Sequence, residues 1–361
     1  MRVLHVETGL HLYGGAQQVA FLLRDLAKQD GVESVLVCPP GAAIGKHFAA
    51  DSAVRVIETP CKGDADLGFV ARLRRVLRAE RPDLLHLHSR RGADVLGAIA
   101  GRLCGVPVVL SRRVDNPEAR AWVALKYRLH DRVIAISYGI ADVLASEGVP
   151  ASKLRVVRSS LDPAPWQAPE SRAAFCAEFG VPDDDDAVLI GVVAQLIERK
   201  GHRVLFEALR ALPDRKRLRV ICFGQGPLRA ALEREAADLG ETVRFAGFRS
   251  DLGRWLGALD LLVHPAYMEG LGVSLLQASA AGVPIIASRA GGMPEAVADE
   301  QTGLLVPPGD AVALAAALRR MLDDANLRQR LGAQGRARIE REFSVETMVE
   351  GNLAVYRELV R

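Results

Sequence analysis

A chain of 361 residues exceeds what one hydrophobic core commonly serves, so two domains are expected, with 49% apolar residues to fill both. A formal net charge of +3 excludes a strongly basic nucleic-acid binder, and any attraction for anions must come from local patches. The five cysteines show neither CxxC nor zinc-like spacing, "MRVLHVETG" reads as a strand and not a leader, and no run of 18 apolar residues occurs; a reduced cytoplasmic protein that does not span a membrane is expected.

Short β-branched runs then alternate with helical patterns, the signature of parallel sheets covered on both faces. "RVLHVE", "SVLVCPP", "VRVIE", "LLHLHS", "VPVVLS", "RVIAIS" and "KLRVVRSS" are the predicted strands of a first domain, residues 1–165. "LDPAPWQAPES", rich in proline, is the linker candidate. "AVLIGVVAQ", "LRVICFG", "VRFAGF", "LLVHPA", "VPIIAS" and "GLLVPP" follow in a second domain, residues 166–344, and a helix from about 345 to 361 ends the chain. Ligands of open parallel sheets bind beyond the carboxyl ends of the strands, so two such sheets with facing strand ends would make a cleft.

The first loop carries Gly14 and Gly15 just before a helix, where backbone amides and the helix dipole favour phosphate. The G-x-G-x-x-G spacing of a dinucleotide site is absent there, and "GQGPLR" puts Arg229 where its third glycine should stand. A tight turn without a ligand is the plainer alternative. In "ERKGH", Lys200 follows a strand and precedes Gly201 and a helix, a position from which an ammonium can neutralise a diphosphate; a solvated lysine is the alternative. In "HPAYMEGLGVSLLQASAAG", the amides of Leu271, Gly272 and Val273 sit at a helix start. Glu269 beside such an anion site makes sense as an acceptor for sugar hydroxyls, and together they suggest a phosphorylated sugar. Alternatively, Glu269 merely stabilises the positive helix end.

Taken in order, "YGGAQQV", "AISYGIADVLASEGVPASKLRVV", "LIERKGHRVLFEAL", "FGQGPLRAALE", "VRFAGFRSDL", the Glu269 segment and "GGMPEAV...TGLLVPPGD" resemble a retaining glycosyltransferase of the GT-B fold, from the large bacterial family GT4. The resemblance implies an α/β protein of two Rossmann-like domains with parallel sheets facing across an interdomain cleft. It implies that Lys200 contacts the diphosphate of a nucleotide-sugar donor, that Gly15 approaches it, and that Glu269 with the amides of Gly270 to Val273 meets sugar and phosphate. Phe248 and Arg249 would border the base. Four places depart from the family pattern: Gln277 replaces a second glutamate, Gln195 replaces an arginine for which Arg199, next to Lys200, can compensate, Ser159-Ser160 replace an asparagine-glycine pair before the linker, and Arg113 stands about where a histidine often ends a strand.

On the acceptor side, Arg90, Arg91, Arg112 and Arg113 end two neighbouring strands, a pattern suited to a phosphorylated or acidic acceptor; ordinary surface arginines paired with Asp94, Asp115 and Glu118 are the alternative. His88 either acts at the acceptor hydroxyl or packs beneath its loop. In "LGFVARLRRVLRAERPD", Leu67, Val70, Leu73 and Leu77 share a helical face opposite Arg72, Arg75 and Arg78, compatible with anionic lipid or with a sheet-covering helix. The activity expected is hexosyl transfer to an acceptor hydroxyl in lipopolysaccharide core or related envelope glycan synthesis, with no cofactor and no metal, since "DDDD" at Asp183 to Asp186 lacks partner ligands. A nucleotide-sugar epimerase and a non-catalytic sugar-nucleotide-binding protein are the competing readings.

Overall fold

The computed structural model describes residues 1–12, 14–49, 53–89, 92–114, 118–184 and 186–360. It divides into two compact units, residues 1–160 with 345–361 and residues 161–344.

The first unit alternates strand and helix: β1 Arg2–Val6, α1 Gly14–Leu26, β2 Glu33–Cys38, α2 Ala43–Phe48, β3 Val54–Glu58, α3 Gly68–Glu80, β4 Leu84–Leu87, α4 Ala98–Cys104, β5 Val108–Arg112, α5 Arg120–Lys126, β6 Arg132–Ala135, α6 Tyr138–Glu147 and β7 Leu154–Val156. The seven strands form one parallel sheet in the order β3-β2-β1-β4-β5-β6-β7. All seven are the strands predicted from the apolar runs. Side chains alternate between faces along each strand. Leu4, Val6, Leu85 and Leu87 therefore enter one core with Phe69, Leu73 and Leu77 of α3. Val3, Leu84 and Val109 enter another on the opposite face. α3 thus spends its apolar stripe on the sheet, while Arg75 and Arg78 stay exposed.

The second unit contains α7 Arg172–Phe179, β8 Val188–Val193, α8 His202–Arg210, β9 Leu218–Phe223, α9 Arg229–Glu235, β10 Val243–Gly247, β11 Leu261–His264, α10 Val273–Ala280, β12 Ile285–Ser288, α11 Met293–Ala296, β13 Gly303–Val306, α12 Ala311–Asp323 and α13 Ala325–Glu342. Its parallel sheet runs β10-β9-β8-β11-β12-β13, again the strands expected. The proline-rich stretch after Ser160 packs onto this unit: the Leu161 amide donates to the Phe343 carbonyl at 2.9 Å, and Trp166 lies against the core that holds Phe175 and Trp255. The last helix, α14 Val345–Arg357, belongs to the first unit and buries Val345, Met348, Val349, Leu353 and Tyr356 against its sheet. Among the described residues, no helix is long and apolar enough to cross a membrane.

Each sheet has one place where the strand order reverses, between β1 and β4 in the first and between β8 and β11 in the second. Loops leaving the two flanking strands there diverge to opposite faces and open a crevice, the usual ligand position of doubly wound sheets.

Candidate active site

In the second unit, Lys200 follows β8 and Glu269 follows β11, so they leave the two strands that flank the reversal. The two loops are fastened by backbone. The Tyr267 amide donates to the Arg199 carbonyl at 2.9 Å. Gly201, with φ of +69°, lies so close that a Cβ would sit 2.0 Å from the Pro265 carbonyl oxygen. Glycine is required there for both reasons. From the other side, Gly291 and Gly292 pack on the backbone of Glu269 and Gly270, with added Cβ atoms 2.1 Å from each carbonyl oxygen, and the Gly292 amide donates to the Glu269 carbonyl at 2.9 Å.

These fastenings bring three side chains together. The Lys200 Nζ donates to Glu269 Oε2. His264, buried at the end of β11, brings its Nε2 to 3.2 Å from the same oxygen. Burial pushes the Glu269 carboxyl up, but the hydrogen bond from His264 and the charge of Lys200 outweigh it and hold it at about 2. The carboxylate is therefore ionised across the physiological range. His202 lies alongside with both ring nitrogens buried and unpartnered, and burial, reinforced by His264 and Lys200, lowers it to about 4. Immediately after Glu269 comes the start of α10, capped by Gly272 in the left-handed region at φ +87° and by no side chain. Its first amides suit an anion. Gly270 and Leu271 are buried in this turn, and Val273 opens the helix. Gln277 lies half-buried one turn on, and Gln195 is exposed in the loop after β8 with Arg199 half-buried beside Lys200. Phe248 is exposed, whereas Arg249 is held by Glu178 at 2.6 Å and Asp251 at 2.7 Å. That engagement places Arg249 as a brace of its loop.

In the first unit, Gly14 starts α1 and Gly15 lies against Arg113, whose Cδ would be 3.2 Å from a Cβ at that glycine. Register sets β1 beside β4 with His5 opposite His86, and His88 follows two residues later on the same face. His5 Nδ1 lies 3.0 Å from His88 Nε2; His86 bonds the Tyr356 hydroxyl of α14 at 2.6 Å and the Ser111 hydroxyl at 2.9 Å. His88 is thus part of a buried imidazole cluster, a partnership the sequence did not reveal. Three ligand atoms of His5, His86 and His88 lie within 4.8 Å of one another, the spacing of a metal cluster. The donor set fits a cation poorly: both nitrogens of His86 are engaged, and the Arg113 guanidinium lies close enough to push His86 and His88 further down than burial alone. Burial likewise lowers Arg113 itself to about 10.

The expected convergence of arginines needs correction at one pair. Arg112 and Arg113 are consecutive, so strand alternation sends them to opposite faces. Arg112 is buried beside Glu118 at 3.5 Å, whereas Arg113 reaches the histidine side. Asp94, proposed as a partner for these arginines, instead binds Lys126 at 2.7 Å. Arg90, Arg91 and Asp115 lie outside the described residues.

Comparison with known proteins places the chain's sequence and fold in one class. The family model for "Glycosyltransferase Family 4" matches residues 13–164, and that for "Glycosyl transferases group 1" matches residues 178–338. The 2-deoxystreptamine glucosyltransferase of Streptomyces kanamyceticus is 30% identical over 76% of this chain and 77% of its own length. The lipopolysaccharide core biosynthesis glycosyltransferase LpsE of Rhizobium meliloti (strain 1021) is 26% identical over 98% of each chain. Among solved structures, HepE of Anabaena in complex with UDP and glucose superposes with a TM-score of 0.85 at 21% identity, over 99% of this chain and 100% of that one. A glycosyltransferase from Rickettsia africae ESF-5 gives 0.87 at 19% identity, over 100% and 98%. Two Rossmann-like parallel-sheet units of this kind are the GT-B fold of glycosyltransferases. The chain belongs to the GT4-type glycosyltransferase family.

Proposed function

We propose that the chain moves a hexosyl unit from a nucleoside-diphosphate sugar to an acceptor hydroxyl, with retention of anomeric configuration and without a resident metal. The observation that carries this reading is the Lys200–Glu269–His264 cluster beside the uncapped start of α10. It offers a cation and amides for a diphosphate, and an ionised carboxylate for hydroxyls of the attached sugar. HepE, a protein of the same fold, binds UDP and glucose.

In the reaction the bond from the anomeric carbon to the diphosphate oxygen breaks and the bond to the acceptor oxygen forms on the same face. The departing diphosphate takes the acceptor proton. Charge grows on that diphosphate in the transition state, so fixed donors aimed at it supply the main catalytic contribution. Lys200 and the α10 amides fill that role, and Glu269 orients the sugar. A lipid-linked envelope glycan as acceptor is supported by the name of the relative LpsE, and the exposed Arg75 and Arg78 of α3 suit an anionic membrane face. The test is calorimetric binding of UDP, GDP and their sugars, followed by turnover of the best binder with extracted envelope glycolipid and anomeric analysis of the product. Absence of binding by every nucleoside diphosphate overturns the reading, and inversion at the anomeric carbon overturns the stereochemistry.

A further inference from the structure

On the face of the first sheet opposite the histidines, a cavity of about 520 Å³ opens beside the carboxyl ends of β4 and β5, lined by Asp64, Gly92, Asp94, Glu118, Trp122 and Lys126, with Val95 behind. That size lies within the range of small-molecule sites, roughly 300–1,000 Å³. It lies on the carboxyl-end side of the sheet, next to the reversal between β1 and β4 and not in it.

The walls are built before any ligand arrives. Gly92, at φ +86°, approaches so closely that a Cβ would lie 2.5 Å from the Gly63 carbonyl oxygen, which fixes the loop carrying Asp94 against the loop carrying Asp64. The floor is a knot of buried charge. Lys126, 2% exposed, places its Nζ 2.7 Å from Asp94 Oδ2 and 3.1 Å from Glu118 Oε1. The Tyr127 hydroxyl reaches Glu118 Oε2 at 3.3 Å, and the Glu118 amide donates to Glu147 Oε1 at 2.5 Å. At the rim, Trp122 leaves 45% of its surface in solvent, although Val123 beside it on α5 is buried.

From this geometry we infer that the cavity seats the acceptor's sugar ring, and that the ring is an unphosphorylated polyol or amino-polyol. The inference rests on the glycosyltransferase reading and departs from the acidic acceptor that the arginine pairs suggested. Ionised carboxylates only accept hydrogen bonds, so Asp64, Asp94 and Glu118 suit hydroxyl and ammonium donors. Among the described residues the cations at this floor are Lys126 and Arg112, both already turned to Asp94 or Glu118, so a phosphate entering here would face three carboxylates against two paired cations. Like charges brought together oppose binding. The indole of Trp122 offers a flat apolar face for the C–H side of a sugar ring, with its N–H left for a hydroxyl.

The test follows the indole N–H signal of Trp122 in the full-length protein by NMR, identified by its loss in Trp122→Phe. Glucosamine, N-acetylglucosamine, glucose and myo-inositol are titrated separately, then glucosamine 6-phosphate and inorganic phosphate. At least one unphosphorylated ring should move the signal saturably, and glucosamine 6-phosphate should bind at least about tenfold more weakly than glucosamine. Asp64→Asn, an exposed position, should narrow that preference by about threefold. The inference falls if none of the four unphosphorylated rings moves Trp122, or if glucosamine 6-phosphate binds as tightly as glucosamine. Calorimetry with UDP and GDP on the same sample reads the donor side separately, so loss of this inference and loss of the glycosyltransferase reading give different results.

Discussion

Lys200 and His264 meet at a single oxygen, Glu269 Oε2, one as an ion pair and the other at 3.2 Å. The carboxylate therefore occupies the lysine that a diphosphate would need. On the proposed reading a diphosphate would compete with Glu269 for the Lys200 ammonium, and wherever it prevailed His264 would remain the donor to that oxygen, with the carboxylate open to hydroxyls.

A split between binding and turnover follows for the ion pair. Glu269→Gln removes the competitor for Lys200, so affinity for UDP or GDP, measured by calorimetry, should stay equal or rise. Its kcat/KM should nevertheless fall by about 10²–10³, the scale for losing one fixed polar contact to the reacting group. Lys200→Met should do the reverse to binding, weakening the same nucleotide by tenfold or more, the scale of a hydrogen bond to a charged group, about 1.5–3 kcal/mol. Thermal melting checks that each variant folds. Equal losses of nucleotide affinity in both would show that the two side chains act as one anion site.

His264 is a positioning residue in this scheme. His264→Ala should lower kcat by about 10- to 100-fold, because a hydrogen bond to a charged group contributes roughly 1.5–3 kcal/mol. Donor KM should change little, since Lys200 and the α10 amides remain. His264→Gln restores a donor nitrogen and should recover part of kcat, which a purely packing role would not predict.

The loop fastening gives a backbone prediction. Gly201→Ala places a methyl 2.0 Å from the Pro265 carbonyl in a left-handed conformation, so Lys200 and Glu269 must separate or the loops must move. A loss of about 3 kcal/mol or more is expected, with turnover lost alongside. Denaturant unfolding beside wild type measures it. A stable variant with normal turnover would show that the two loops are not held by this contact.

Much of this architecture was legible because its signals are local. Every strand announced itself as a short apolar run, and the motifs at Lys200 and Glu269 lie within single loops. What escaped depends on pairing between distant segments. His5 and His86 stand 81 positions apart and meet only because β1 pairs with β4, and Tyr356 joins them from the last helix. The error over Arg112 and Arg113 was avoidable, since alternation along a strand separates consecutive residues, but it required knowing that β5 extends as far as Arg112. Gly291 and Gly292 were visible as a motif, yet their contact with the Glu269 backbone is set by β12 lying beside β11.

The buried imidazoles make the fold acid-sensitive. Burial lowers His5 to about 3, His130 to about 4 and His202 to about 4, and holds His86 and His88 well below the ordinary histidine value of 6.5. In the unfolded chain each takes a proton near 6.5, so below that pH the unfolded state binds more protons than the folded one. For a group whose folded pKa is depressed, the stabilisation is complete above the unfolded pKa and is lost as pH falls toward the folded one. Glu269 has the same sign lower down, between its ordinary 4.5 and about 2. Unfolding free energy should therefore be level above about pH 7 and fall between pH 6.5 and 4, by up to about 1.4 kcal/mol per pH unit for each neutral buried histidine. His5 makes the cleanest test, since burial alone accounts for its shift. His5→Asn removes one such proton uptake and should reduce the measured slope below pH 6 by about 1.4 kcal/mol per unit, even if the variant is less stable at neutral pH. Urea unfolding at half-unit steps from pH 7.5 to 4.5 resolves that difference, and an unchanged slope would mean that His5 is already charged in the folded chain.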